Sequence, residues 1–239
     1  MFRQGGILFM ELRYYYTKLD PRLRQIYLFF SAALRRQSTQ FDSFGLTPPQ
    51  INQLLHFVLL DHPELCCFEG KWGLDKGICP IYTAPPHHET LLTQAADVIY
   101  SQAKSIPSVS DAVRFVYDQV RSSVIYDPYA PHSQTAYGAL VEHWAACKGI
   151  SKAFQLIMHR LDIPCILVEG SLDQQMKHVW NMVSMNGQWC HVDICMSYPQ
   201  FYPLTNATDP YSCFCISTQK LLESHQIYAP NLLPTEVFP

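Results

Sequence analysis

Charged residues are scarce in this chain. Only 15% of its 239 residues are Asp, Glu, Lys or Arg, and the formal net charge is −3. A protein that binds nucleic acid needs a basic surface to meet the phosphate backbone. Because the composition provides no such surface, we expect no nucleic-acid partner.

The sequence also lacks a long hydrophobic run. The longest candidate for a targeting segment, Gly6 to Met10, is far too short for the core of a signal peptide or for a membrane span. We therefore expect no membrane partner. The true start is left open between Met1 and Met10, because a charged and aromatic run from Glu11 to Lys18 follows directly.

The cysteines lack the spacing of a disulfide framework. There are nine of them, an odd number, so at least one is unpaired within the monomer. Unpaired thiols fit a reducing compartment, and we expect a cytoplasmic location, with a leaderless route of export left open. The oligomeric state is also left open.

Internal repeats and low-complexity tracts are absent as well. The length, together with 48% hydrophobic residues, is enough for a sizeable core. Either one core with an added helical region or a single elaborated domain fits this length. We predict a helical N-terminal region over residues 1–105, followed by a core over residues 106–239 that ends in a helix and a tail.

Helical patterns dominate the N-terminal region. Asp20 to Arg36 has Pro21 near its first turn, and Thr47 with Pro48 is typical of the start of a helix that continues from Pro49 to Leu60. We expect these two helices to pack together. Two further helices are predicted at about Glu89 to Lys104 and Asp111 to Arg121, the second of them capped by Ser110.

Cys147 opens a predicted helix of the core. Apolar residues recur after it at helical spacing, and Cys147 lies one turn earlier on the same stripe, which contains Ile150, Ala153, Phe154, Ile157, Met158 and Leu161. The unpaired backbone N–H groups and the dipole at a helix N-terminus favour the thiolate, which is the nucleophilic form of cysteine. One of these N–H groups could also donate to a developing oxyanion.

A predicted hairpin brings together a histidine and a carboxylate. Asn186-Gly187 is the strongest short signal for a two-residue type I′ turn, and it lies near the middle of Val183 to Val192. In that register Trp180 is opposite Asp193, so His178 and Asp193 are diagonal neighbours on one face, with Cα atoms roughly 7–8 Å apart. The carboxylate could then orient the imidazole and stabilise its protonated form.

Each of these three residues also has an ordinary structural interpretation. Cys147 could be the first core residue of its helix, since free cysteines are often buried. His178 could be a hydrogen-bonded core residue, and Asp193 a turn residue at the end of a strand. The combination is much less expected by accident than any one of the three, and it favours a triad with a thiol nucleophile.

Less regular segments surround these elements. Asp61 to Tyr82 carries scattered aromatics and glycines, and Thr83 to His88 is typical of a linker or loop. Beyond the hairpin, Tyr198 to Tyr211 is predicted to form a loop near the mouth of the cleft. Ser217 to His225 is predicted to form a short terminal helix, and Pro230 to Pro239 is a proline-rich tail.

Several short motifs resemble a known family. They are Tyr137-Gly138-Ala139-Leu140-Val141, Cys147-Lys148-Gly149, Ala153-Phe154, His178-Val179-Trp180-Asn181, Asn186-Gly187-Gln188-Trp189 and His191-Val192-Asp193. In this order they resemble the transglutaminase-like superfamily, and more closely its bacterial branch of cysteine peptidases. The resemblance covers about residues 112 to 195, with a weaker echo from Tyr211 to His225.

The resemblance implies an α+β fold with a papain-like core, in which the cysteine helix packs on an antiparallel sheet. It also implies acyl transfer through a thioester on a protein or peptide substrate. On this basis Cys147 is the nucleophile, His178 is the general base and acid, and Asp193 is the orienting carboxylate.

Other side chains are candidates for the oxyanion site or the cleft. Gln134 and Tyr137 are candidates for the second oxyanion donor that the family requires, although Tyr137 could equally support the cysteine helix from beneath. Trp180 and Trp189 lie on the predicted face of the triad histidine; we favour a core role for Trp189, and for Trp180 a cleft wall or a core role stays open. His191 is expected to be a packed or hydrogen-bonded residue rather than a second base.

We predict neither a metal nor another cofactor. Thiols and imidazoles between Cys190 and Cys195, and between Cys213 and Cys215, are ligands that zinc prefers, but their alternation along a strand is poor for a tetrahedral site.

The reaction itself is left open by the sequence. Water as the second nucleophile would make the chain a peptidase or deamidase, and a lysine amine would make it a crosslinking transglutaminase. We favour hydrolysis, because no calcium-binding loop or second recognition domain is evident.

The chain departs from the family pattern around the triad, at Ala145-Ala146, Ile150-Ser151 and Ile194-Cys195-Met196. A catalytically silent binding or scaffold module is therefore the alternative.

Overall fold

The structure is a computed structural model that describes residues 12–173, 176–201, 203 and 209–235. Its helices and its five-stranded antiparallel sheet confirm the predicted α+β class. The helices are α1 (Tyr14–Thr17), α2 (Pro21–Arg35), α3 (Pro48–Asp61), α4 (His87–Ala103), α5 (Val109–Ser123), α6 (Cys147–Arg160) and α7 (Thr218–Leu221). The strands are β1 (Phe68–Leu74), β2 (Ile78–Tyr82), β3 (Ile125–Tyr126), β4 (Trp144–Ala145), β5 (Cys165–Leu172), β6 (Met176–Met185), β7 (Gln188–Val192), β8 (Phe214–Ile216) and β9 (His225–Ile227).

The two predicted N-terminal helices are confirmed as α2 and α3. The side chain of Asp20 caps α2 by accepting a hydrogen bond from the Leu23 N–H, and Thr47 forms a capping box at the start of α3. The helices pack together as expected, and the hydroxyl of Tyr27 in α2 donates to Asp61 at the end of α3.

The main sheet has the strand order β8-β7-β6-β5-β9, and all its neighbouring strands are antiparallel. The predicted register of the β6–β7 hairpin is confirmed, since Met185 pairs with Gln188 and Ser184 with Trp189. The turn residues Asn186 and Gly187 have φ values of 54° and 84°, as a type I′ turn requires. The hairpin therefore fixes which residues of β6 and β7 share a face.

Two hydrophobic cores meet at the sheet. One joins the N-terminal helices α1 to α3 to sheet residues that include Val168 and Trp180. The other joins α4, α5 and α6 to sheet residues that include Cys165 and Val192. Cys147 contacts both cores from the start of α6. A boundary after residue 105 would fall between α4 and α5, and this division stays a prediction.

Several sequence predictions need correction. Residues 61–82, for which no element was predicted, contain the β1–β2 hairpin; its strands are mostly half-buried and show no strict alternation. The cap of α5 is Ser108 rather than Ser110, because the Ser108 hydroxyl reaches the Asp111 N–H three residues on. The predicted helix from Ser217 to His225 ends at Leu221, and His225 begins strand β9.

The remaining predictions concern segments that are described only in part. Within the predicted loop from Tyr198 to Tyr211, residues 199–201 form a 3₁₀ turn, and residues 202 and 204–208 lie outside the described residues. In the predicted tail, Pro230–Leu232 is also a 3₁₀ turn, and residues 236–239 lie outside. The two candidate starts lie outside the described residues as well.

Every described helix is too short or too polar to cross a bilayer. The cytoplasmic location stays a prediction.

Candidate active site

Cys147 is the first residue of helix α6, as the sequence predicts. Within the described residues no hydrogen bond from its backbone N–H is found, which is expected for the first turn of a helix. The side chain is partly buried. The thiol and an available N–H donor therefore lie at the same end of one helix.

Gly149 allows the start of α6 to lie against the preceding segment. A Cβ at this position would come within 2.3 Å of the Ser133 carbonyl oxygen and 2.8 Å of the Thr135 carbonyl oxygen. The Ala146 N–H also donates to the Ser133 carbonyl, at 2.9 Å. Because only glycine fits this close approach, the motif Cys147-Lys148-Gly149 places Cys147 beside residues 133–135.

Hydrogen bonds between α6 and β6 connect the helix of Cys147 to the strand of His178. The Ser151 hydroxyl donates to the Val179 carbonyl at 3.0 Å, and the Asn181 amide donates to the Ser151 carbonyl at 3.1 Å. All three residues are at least 91% buried. Buried polar groups that are satisfied in this way fix the relative position of two elements, here the helix of Cys147 and the strand of His178.

His178 and Asp193 lie together as the hairpin register predicts. His178 Nε2 and Asp193 Oδ2 are 2.6 Å apart, and the two residues are 2% and 1% exposed. The side chain of Cys147 lies close enough to the His178 ring to raise the pKa of the imidazole. Because Nε2 is engaged by the carboxylate, Nδ1 is the ring nitrogen available to the thiol.

The electrostatics of the pair favour a charged imidazole. Burial alone lowers the pKa of His178, but the charge and hydrogen bond of Asp193, together with the side chain of Cys147, raise it to about 10. Burial alone likewise raises the pKa of Asp193, and the His178 charge and the hydrogen bonds from His178 and His225 bring it well below its usual range. The pair is therefore an imidazolium and a carboxylate at neutral pH.

His225 is a member of this cluster that the sequence did not predict. Its Nε2 lies 3.0 Å from Asp193 Oδ2, and the residue is 5% exposed. The signal available in the sequence was the weak family echo that ends at His225, but the predicted helix placed this residue elsewhere. Its position depends on pairing between β9 and β5, which are more than fifty residues apart in sequence.

The tryptophans and His191 have structural contacts. Trp180 is completely buried, its Nε1–H donates to Nδ1 of His191 at 3.0 Å, and its ring stacks near His178 at a centroid distance of 6.0 Å. His191 Nε2 lies 2.9 Å from the Thr218 hydroxyl, so it is the hydrogen-bonded residue we expected. Trp189 packs against the core beside the N-terminal helices. Trp180 thus belongs to the core and supports the His178 ring from within.

Phe201 and Tyr126 are further aromatic neighbours that the sequence analysis missed. The Phe201 ring lies 6.3 Å from the His178 ring and 4.9 Å from the Tyr126 ring. Phe201 belongs to the segment that was predicted only as a loop near the cleft. No periodic pattern marks a single aromatic of this kind.

The two oxyanion candidates lie in different places. Tyr137 is buried, and its ring stacks on His88 at 3.9 Å, near His132 and Glu142 rather than beside the thiol. These contacts are structural, and neither the donor role nor the support of the cysteine helix predicted for Tyr137 is tested by them. Gln134 is partly exposed and follows Ser133, whose carbonyl accepts from Ala146 directly before Cys147. Gln134 therefore remains the candidate for a side-chain donor.

One set of described side chains could hold a metal, namely His178, Asp193 and His225, whose ligand atoms lie within 4.8 Å of one another. Two ligands of one tetrahedral zinc ion are roughly 3.3 Å apart when each bond is about 2.05 Å. The separations of 2.6 Å and 3.0 Å from Asp193 Oδ2 are instead those of hydrogen bonds. The arrangement is a hydrogen-bonded cluster, and the expectation that no metal is needed stays a prediction.

Two solved structures resemble parts of this chain. A candidate cysteine protease from Cytophaga hutchinsonii is 19% identical, with a TM-score of 0.38, over 46% of this chain and 43% of that protein. A protein described as a TGase is 18% identical, also with a TM-score of 0.38, over 44% of this chain and 31% of that protein. The chain thus spans less than half the length of either protein.

A sequence comparison identifies the family of the central segment. No curated protein has a sequence that matches the chain. Residues 96–194, however, match the profile of the family described as the transglutaminase-like superfamily. Cys147, His178 and Asp193 all lie within this match, which covers less than half of the chain. Residues 96–194 are therefore similar in sequence to the transglutaminase-like superfamily.

Proposed function

We propose that this chain is a thiol-dependent acyl-transfer enzyme that hydrolyses peptide or side-chain amides, with Cys147 as the nucleophile. The observation that carries the proposal is the position of His178, which is buried, is hydrogen-bonded to Asp193 and lies close enough to Cys147 for that side chain to raise its pKa. A thiol, a base and an orienting group in contact with one another are the arrangement that nucleophilic catalysis requires.

In the first half of the reaction, Cys147 attacks the amide carbonyl carbon. In the reacting state the thiol proton already resides on Nδ1 of His178, so the sulfur attacks as a thiolate, a C–S bond forms, and the carbonyl oxygen becomes an oxyanion. When the tetrahedral intermediate collapses, the C–N bond breaks and the imidazolium returns the proton to the leaving amine or ammonia. The raised pKa of His178 favours the imidazolium that this step consumes.

In the second half, water resolves the thioester. His178 takes a proton from the water as its oxygen attacks the acyl carbon, the C–S bond breaks, and the proton returns to the sulfur of Cys147. Asp193 keeps its negative charge throughout and stabilises the imidazolium in both halves. The products are a carboxylic acid and the free enzyme.

The oxyanion is stabilised by donors at the start of α6. The Cys147 N–H, for which no hydrogen bond is found among the described residues, is the first donor. The Gln134 side chain is proposed as the second, because its neighbour Ser133 is bonded to Ala146. A primary amine in place of water would give transamidation by the same steps.

The proposal is tested by trapping the acyl-enzyme. The protein is incubated with unfolded proteins and glutamine-containing peptides, quenched in acid and analysed by intact-mass and peptide mapping, with Cys147→Ser and His178→Ala as controls. We expect an acyl adduct on Cys147 that hydroxylamine removes, with release of ammonia or new N-termini. Incorporation of an added fluorescent amine would instead identify transamidation. If no substrate leaves an adduct on Cys147 and no product depends on it, the proposal is wrong.

A further inference from the structure

His225 makes contacts that the proposed reaction does not use. Its imidazole is buried against Asp193, with ring centroids 5.0 Å from Trp180 and 5.7 Å from His178. It comes from the edge strand β9, outside the segment that matches the family. We propose that His225 is a positioning residue. It fixes the Asp193 carboxylate, and the carboxylate in turn orients the His178 ring. The inference rests on the proposed function.

Asp193 accepts hydrogen bonds from three directions. Oδ2 accepts from His178 at 2.6 Å and from His225 at 3.0 Å, and Oδ1 accepts from the Cys195 N–H at 2.9 Å. A carboxylate that is bonded on both oxygens cannot rotate without breaking at least one bond. His225 is the one donor to Oδ2 besides His178 among the described residues, so it fixes the oxygen that orients His178.

Ser224 fixes the tautomer that this role requires. Asp193 is an ionised acceptor, so His225 must carry its proton on Nε2. The Ser224 hydroxyl lies 2.8 Å from Nδ1 of His225 and can donate to that unprotonated nitrogen. With its proton on Nε2, His225 donates to Asp193 and accepts from Ser224, so both ring nitrogens have a hydrogen-bond partner.

The fold leaves space for His225 to reach the Asp193 carboxylate across β5 and β6. His225 pairs with Leu172 in β5, and Gly170 in β5 pairs with His178 in β6. A Cβ at Gly170 would come within 1.9 Å of the Gln226 carbonyl oxygen and 2.6 Å of the Trp180 ring. Because Gly170 has no side chain, β9 and the Trp180 ring close over it, and the imidazole extends to Asp193.

The test compares two substitutions of similar size. His225→Gln keeps an N–H donor near the position of Nε2, whereas His225→Met fills the space without a donor. In protein labelled with ¹⁵N-histidine, we expect wild-type His225 to show the tautomer protonated at Nε2. We expect the Nε2–H of His178 to exchange slowly in wild type and in His225→Gln, and at least about tenfold faster in His225→Met.

Alkylation of Cys147 gives the second readout. We expect a rate about tenfold lower in His225→Met and within about twofold of wild type in His225→Gln. If His225→Met does not fold, Ser224→Ala serves instead, because it frees the His225 tautomer and leaves Asp193 untouched. Equal His178 exchange and equal alkylation in the donor and non-donor variants would overturn the proposal, as would a wild-type His225 protonated at Nδ1.

The two readouts separate this proposal from the proposed function. If Cys147 is inert in every variant while His178 exchange still follows the donor at position 225, the enzyme proposal fails and the positioning role stands. If Cys147 reacts in a His178-dependent manner and neither readout depends on the donor, only the role of His225 is wrong.

Discussion

Gly149 lies so close to the Ser133 carbonyl that a methyl group would come within 2.3 Å of that oxygen. The oxygen belongs to backbone that is itself bonded to Ala146, so it cannot move aside without moving the start of α6. This contact connects the nucleophile to the segment that holds the proposed second oxyanion donor. The short motif Cys147-Lys148-Gly149 thus combines a reactive side chain with the residue that allows it to be positioned.

Gly149→Ala is therefore expected to separate α6 from residues 133–135. Overpacking of this kind should lower the free energy of unfolding by about 1–3 kcal/mol, measured by denaturant titration, and should slow the alkylation of Cys147. The matched control is Gly73→Ala in β1, where a Cβ meets nothing within 4 Å. The control should change stability by less than about 0.5 kcal/mol. Equal stability of the two variants would contradict this account of the motif.

Asp193→Asn removes the charge that keeps His178 protonated. Burial then lowers the pKa of His178 with no carboxylate to oppose this effect. We expect the pKa of His178, measured by NMR titration, to fall below the ordinary histidine value. The value of kcat/KM for any substrate found should fall by about 10²- to 10⁴-fold. A His178 that titrates as in wild type would show that Asp193 does not set its protonation.

Lys152 gives a test of stability against pH. It is 2% exposed, and burial, reinforced by Lys148, lowers its pKa to about 7. Between pH 7 and 10 the unfolded chain keeps the lysine proton and the folded chain loses it, so this residue makes the protein more stable as pH rises. Lys152→Met should be more stable than wild type at pH 6, and its advantage should shrink above pH 7 by up to about 1.4 kcal/mol per pH unit. An advantage that does not change with pH would contradict the assignment.

Asp61 anchors the N-terminal helices through three donors, the Tyr15 N–H, the Tyr16 N–H and the Tyr27 hydroxyl. Burial raises the pKa of Asp61 to about 7, against the effect of these hydrogen bonds. Tyr27→Phe should therefore cost about 1–3 kcal/mol of unfolding free energy near pH 7. Without the Tyr27 hydroxyl, the pKa of Asp61 in the folded protein should rise further. The folded protein then holds the Asp61 proton more tightly than the unfolded chain does, so stability should fall more steeply as pH rises from 4 to 7.

The control for Tyr27→Phe is Tyr100→Phe, since Tyr100 is only partly buried and its hydroxyl has no hydrogen bond among the described residues. This control should be within about 0.5 kcal/mol of wild type at every pH. A loss of equal size in both variants would show that Asp61 does not depend on the Tyr27 hydroxyl.

The sequence predicts those parts of the site whose structure is determined by residues close together in the chain. The helix that begins at Cys147 follows from apolar spacing over the next fourteen residues, and the turn at Asn186-Gly187 sets the hairpin register by itself. That register is sufficient to place His178 diagonal to Asp193. Short-range periodicity and turn chemistry therefore predicted the relative positions of the histidine and the carboxylate.

The parts that the sequence does not predict depend on distant pairing. His225 reaches Asp193 only because β9 pairs with β5, and nothing in the three-residue strand His225–Ile227 indicates that partner. The β1–β2 hairpin likewise lacks a strong turn dipeptide and an alternating pattern. Tyr137, a plausible donor by its distance in sequence from Cys147, instead stacks on His88, which is 49 residues away in the chain.

The most direct test of the central claim is the rate at which iodoacetamide alkylates Cys147 near neutral pH, in wild type and in His178→Ala. Cys79 and Cys215 are also partly exposed and serve as internal controls in the same peptide map. If His178 activates Cys147, Cys147 reacts at least about tenfold faster than either control cysteine. This advantage is lost in the His178→Ala variant, provided that the variant is folded. A Cys147 that reacts no faster than Cys79 and Cys215, or equally fast without His178, would contradict the account.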